Sequence, residues 1–173
     1  MIKLKNTKSD NMKKKLSIFF IGLMAAGMIT SCATSKTGSV NNMVARMQVT
    51  EPIDGVCDNS NVIAILPISG NGQVEAVAPK TDDELTAELN EKVTFLKDKP
   101  DYNDKGMVNL IINCEGELVR CQIDNKTQSP ELDSQIVAVF AEMKTWTPGT
   151  IRGKAYDTVV LYSFTIKDGK ISL

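Results

Sequence analysis

The chain has 173 residues and a formal net charge of −1, room for one domain of ordinary size and a further segment. Setting aside residues 1–31, with six lysines and one acid, leaves 14 of the 20 Lys and Arg and 20 of the 21 Asp and Glu, about −6 over the remainder. That acidic body, with no basic stripe interleaved with aromatics, excludes a nucleic-acid partner. The lack of any histidine excludes an imidazole base, a Cys-His dyad and a His-bound metal.

Lys13, Lys14 and Lys15 precede an apolar run from Leu16 to Ile29. The run is shorter than a comfortable transmembrane helix and has the pattern of a secretory signal peptide over residues 1–31, with Met12 an alternative start to Met1. It ends in Ile29-Thr30-Ser31-Cys32, which resembles a bacterial lipobox. The resemblance implies cleavage before Cys32, acylation there, and a stable anchor without a spanning helix. An uncleaved anchor or a buried apolar strand is the competing reading. Residues 32–50 are small and polar and read as a tether. By analogy with lipoproteins, Ala33 in place of aspartate gives no inner-membrane retention signal, and no acidic cluster follows Cys32 to mark surface export.

Residues 51–81 form an N-terminal extension. Val62-Ile-Ala-Ile-Leu66 is an apolar run, Gln73-Val-Glu-Ala-Val77 alternates, and Asn71-Gly72 between them signals a hairpin. Pro67 and Pro79 confine both segments to edge positions. Thr81 and Glu84 make a capping box, followed by a helical stripe of Leu85, Leu89, Val93 and Leu96. The acids Asp82, Asp83, Glu84 and Glu88 sit at this helix start, where the dipole and solubility account for them, and no calcium-loop spacing surrounds them.

Val108, Leu110, Ile112 and Cys114 share one face of a strand, and Val119, Cys121 and Ile123 one face of a second. A two-residue turn at Glu115-Gly116 pairs Ile112 with Val119, Leu110 with Cys121 and Val108 with Ile123. Ser129 then caps a helix with Pro130 in its first turn, and Leu132, Ile136, Phe140 and Met143 form its apolar stripe to about Trp146, before Pro148-Gly149. A long alternating strand follows over Val159–Ile166. Strand, strand, helix, strand predicts an α+β fold: two layers, with a small antiparallel sheet and helices on one face.

Gly106-x-Val-x-Leu-x-Ile112, Gly116, Leu132-Asp133, Trp146-x-Pro148-Gly149 and the closing strand, in that order, resemble the TonB C-terminal domain family over residues 82–173. The resemblance implies a partner peptide added to an edge at Val159, Val160, Leu161, Tyr162 and Phe164. Against this, Lys167 to Leu173 can turn back through Asp168-Gly169 and cover that edge. The chain departs from the family in lacking a retained spanning helix and a proline-rich spacer, so it does not take up motor energy in the usual way.

The cysteines besides Cys32 are Cys57, Cys114 and Cys121, with no CxxC pair and so no zinc motif. The register puts Cys114 and Cys121 about 13 Å apart at ~3.3 Å per residue, so any disulfide uses Cys57, with Cys114 or Cys121. Three small buried hydrophobes is the alternative. Trp146 plugs the edge of the core or serves as a binding hot spot. No catalytic, metal or cofactor set emerges. The function expected is that of a non-enzymatic, lipid-anchored envelope protein, at the outer membrane facing the periplasm. It binds a protein or peptide partner, with a link to TonB-dependent transport implied by the resemblance. A structural or stress-related envelope lipoprotein without a peptide groove is the alternative.

Overall fold

The computed structural model describes residues 45–65 and 72–173. Cys32, the expected signal peptide over residues 1–31 and most of the expected tether lie outside the described residues. In chain order the elements are β1 (Ala45–Arg46), β2 (Ile63–Ala64), β3 (Gln73–Val74), α1 (Asp82–Lys92), a 3-10 turn (Thr94–Leu96), β4 (Asp104–Ile112), β5 (Leu118–Asn125), α2 (Pro130–Phe140), β6 (Thr150–Ile151), β7 (Lys154–Ala155), β8 (Thr158–Lys167) and β9 (Lys170–Ser172). One sheet has the order β1-β2-β8-β4-β5, with β9 also on β8, and β3-β6-β7 form a second small sheet. Every pairing is antiparallel except β2 with β8. The protein is a small α+β fold with both helices packed on one face of the larger sheet.

The helices follow from their caps and stripes. Thr81 and Glu84 make both arms of the capping box of α1, and Ser129 caps α2 with Pro130 behind it. Leu85 and Leu89 from α1 meet Leu132, Ile136 and Phe140 from α2 over Val108, Leu110, Ile112, Phe164 and Ile166 of the sheet, all buried. The helix α2 stops at Phe140, six residues short of Trp146. Residues beyond it are needed elsewhere: Leu118 N–H donates to the Lys144 carbonyl at 3.1 Å and Trp146 N–H to the Gly116 carbonyl at 2.7 Å.

In the β4–β5 hairpin, Val108 faces Ile123 and Leu110 faces Cys121, as the alternation predicts. A bulge after Ile111 then sets Ile112 opposite Leu118 rather than Val119. Leu118 thereby joins the core, while Val119 turns to the other face beside Gly55. The loop is also longer than two residues. Asn113 N–H donates to the Glu117 carbonyl at 2.9 Å, and the Asn113 side chain accepts from the N–H groups of Glu115 and Glu117. Gly116 takes φ +87 there, and a β-carbon on it would strike the Trp146 carbonyl.

Asn71 lies outside the described residues, and among those described the two segments expected to form a hairpin across Asn71-Gly72 do not pair with each other. β2 lies parallel against β8, with Ile63 opposite Thr158, whereas β3 pairs with β6. Val62 and Ile63 are fully buried by this exchange, a gain in buried apolar surface that a two-stranded ribbon at the sheet margin lacks. Gly72 has a positive φ, +84, and precedes β3 of the second sheet.

Candidate functional site

The register of β8 determines which of its backbone groups are available. β4 pairs with it along its whole length, from Asp104 opposite Ile166 to Ile112 opposite Thr158. On its outer side, β2 covers Thr158 and Val159, and β9 covers Thr165 to Lys167. Residues 160–164 have no partner strand on that side among the described residues. Ile63 N–H donates to the Asp157 carbonyl at 2.9 Å, and Lys167 and Lys170 pair across the turn at Asp168-Gly169. Both place the odd-numbered residues of β8 with their backbone groups turned away from β4. Leu161 and Ser163 therefore present N–H and C=O to the gap.

Of the residues expected at a free edge, Val159 is therefore taken by Ala64 of β2, and Phe164 is buried in the core. Val160 and Tyr162 turn their side chains toward the helices. Tyr162 packs against Phe140 at 5.2 Å and Trp146 at 6.5 Å between ring centroids. Leu161 is 51% exposed. The β9 turn covers only the end of the edge, with φ +50 at Asp168 and +69 at Gly169 as a tight hairpin demands. Beside the gap lies a cavity of about 260 Å³ lined by Ile65, Glu75, Ala76, Thr158, Val160 and Leu161, among others. The Thr158 hydroxyl is buried and has no hydrogen-bond partner.

The residues of the family-like signature serve the frame of this edge. Gly116, Trp146 and Pro148 meet at the hairpin loop. Trp146 is buried and its Nε1–H donates to the Met143 carbonyl at 2.7 Å. Leu132 is in the core, and Asp133 accepts from the N–H and hydroxyl of Thr127 at 3.0 and 2.8 Å, fixing the approach to α2. Gly149 is buried where a β-carbon would strike Thr158.

Cys57 is bonded to Cys114, joining the N-terminal extension to the hairpin loop. Asp157, which no motif marks in the sequence, organises this junction. Its buried carboxylate accepts from the N–H groups of Cys57 and Cys114, both at 3.0 Å, and of Asp58 at 2.8 Å. The two sulfurs and the carboxylate lie within 4.8 Å of one another, but sulfurs joined to each other offer no thiolate to a metal. Asn113 Nδ2 adds a bond to the Gly55 carbonyl at 2.9 Å. Cys121 carries a free thiol on the inner face of β5, and burial pushes its pKa up to about 11. No helix among the described residues is long and apolar enough to cross a membrane.

Comparisons of the chain with protein-family models, with curated proteins and with solved structures find no match in any of the three.

Proposed function

We propose that this protein is a non-enzymatic lipoprotein of the bacterial cell envelope, anchored through Cys32 at the outer membrane and facing the periplasm. Its folded body binds a protein or peptide partner by strand addition to β8. One observation carries the reading: among the described residues, 160–164 of a central, well-anchored strand have no partner strand on one side, and such a row of backbone donors and acceptors recruits extended chain. The resemblance of residues 82–173 to the TonB C-terminal domain family supports the same mode, and a link to TonB-dependent transport rests on that resemblance alone. The bracketing of the edge by β2 and β9 favours a second reading, a structural or stress-related envelope lipoprotein with no peptide groove.

The two readings separate in the protein's own envelope. A photo-crosslinking residue at Ser163 should give one discrete adduct, lost when Leu161→Pro removes an outward N–H while circular dichroism shows the fold retained. The same adduct from folded Leu161→Pro protein, or from a crosslinker at Glu131 on α2, would overturn strand addition. Cys32→Ser should leave the precursor unprocessed; cleavage at position 32 with membrane retention would remove the lipoprotein from the account.

A further inference from the structure

Asp157 gathers both halves of the disulfide around one buried carboxylate. Its oxygens accept the N–H groups of Cys57 and Cys114 at 3.0 Å and of Asp58 at 2.8 Å, so the backbone on either side of the bond is fixed without the sulfurs. Three N–H bonds leave one of the about four lone-pair positions of a carboxylate for another partner. The Cys57 and Cys114 sulfurs and a carboxylate oxygen of Asp157 lie within 4.8 Å of one another. Cys57 is exposed among the described residues, and all three residues line a cavity of about 170 Å³ together with Lys154. Residues 1–44 and 66–71, outside the described set, contain Asp10 and Cys32 as their only Cys, Asp or Glu; the first falls in the expected signal peptide and the second is the expected acylation site.

The disulfide closes this donor set, and a dithiol reductant opens it. The two thiols of the reductant become a disulfide, while the Cys57–Cys114 bond takes up two electrons and two protons and leaves two thiols. These stay side by side, because Asp157 holds the two backbone segments with their Cα atoms 6.1 Å apart. Two thiolates beside the carboxylate put three negative charges within 4.8 Å, a repulsion that a divalent cation relieves as it displaces the thiol protons. Thiolate donors select a borderline-soft ion such as zinc over magnesium or calcium. Zinc takes sulfur at about 2.3 Å and carboxylate oxygen at about 2.1 Å in a tetrahedron, so its donors lie about 3.6–3.8 Å apart. Side-chain rotation alone brings the three atoms to that spacing. Two thiolates, a carboxylate and zinc sum to one negative charge, which Lys154 at the cavity wall offsets.

We propose that, once the disulfide is reduced, Cys57, Cys114 and Asp157 bind one zinc ion, with water in the fourth position. The site does not depend on strand addition to β8. The test uses the full chain, reduced with a phosphine that does not compete for zinc as a dithiol does, and checked for fold by circular dichroism. Cobalt serves as the spectroscopic probe and zinc as its competitor. Reduced protein should take up one cobalt per chain with a thiolate-to-metal charge-transfer band that zinc abolishes, and oxidised protein should show no band. Cys57→Ala/Cys114→Ala should lose the band and Cys121→Ala should keep it. Asp157→Asn should weaken zinc binding by at least about tenfold; if that variant does not fold, Cys57→Ala alone, which keeps the carboxylate and its N–H bonds, decides by losing the band. No band in reduced wild-type protein, a band in the double or single Cys57 variant, loss of the band in Cys121→Ala, or undiminished binding by folded Asp157→Asn overturns the inference. Unfolding on reduction overturns it as well, because the site requires Asp157 to hold both cysteines without the bond.

Discussion

Removing the Cys57–Cys114 disulfide tests how the extension is held to the domain. The bond joins residues 57 apart in sequence, and in the chain-entropy account a loop of that length raises stability by about 4 kcal/mol by restricting the unfolded chain. The native side is prepared independently of the sulfurs. Asp157 holds the N–H groups of Cys57, Asp58 and Cys114, and Asn113 holds Gly55, so the Cys57→Ala/Cys114→Ala protein should keep the same fold. Urea unfolding of wild-type and double-variant protein, each followed by circular dichroism and Trp146 fluorescence, measures the difference directly. The expected loss is about 4 kcal/mol with coincident transitions by both probes. A loss under about 1 kcal/mol would refute the reasoning, because the loop would then not be restrained in the native protein as described. Non-reducing peptide mapping that joins Cys114 to Cys121 would refute it by a separate route.

Phe140→Ala empties a fully buried position between α2 and Tyr162 and should cost about 3–5 kcal/mol in the same unfolding assay; a change within about 0.5 kcal/mol would place that ring at the surface. Asp104 is pushed up by burial, but N–H groups of Gln128 and Lys105 and the Tyr102 hydroxyl outweigh this and hold it below the ordinary carboxylate value. Its folded pKa being the lower one, the stability it contributes is present above the unfolded value and is lost as pH falls through the folded one. An NMR titration should show it protonating below the ordinary carboxylate value, and Asp104→Asn should flatten the acid limb of stability against pH.

The periodic parts of the chain are legible from sequence because burial there is set by local repeats. Leu85, Leu89, Val93 and Leu96 at helical spacing, and Val108 and Leu110 opposite Ile123 and Cys121, end where the alternation puts them. The bulge after Ile111 is not legible. Leu118 and Val119 are both apolar, so the pattern reads equally well in either phase, and the choice is made by the loop that Asn113 closes and by the Lys144 carbonyl. The Asn71-Gly72 signal misleads because a local turn preference competes with a distant partner. Ile63 reaches its backbone acceptor at Asp157, 94 positions along the chain. Asp157 itself is one aspartate among many in the sequence, and only the folded chain brings Cys57, Asp58 and Cys114 to its carboxylate. The edge is half legible: the apolar strand and the Asp168-Gly169 turn can be read, but the β2 contact that narrows it to residues 160–164 cannot.

The central claim is that β8 carries an open stretch on one side, and amide hydrogen exchange read residue by residue by NMR measures this without any ligand. Leu161 and Ser163, whose N–H groups point into the gap, should exchange rapidly. Val160, Tyr162 and Phe164, whose N–H groups point at β4, should be protected to the level of the global unfolding free energy. Strong protection of Leu161 and Ser163, equal to that of their even-numbered neighbours in monomeric protein, would mean that the edge is already covered and would contradict the account.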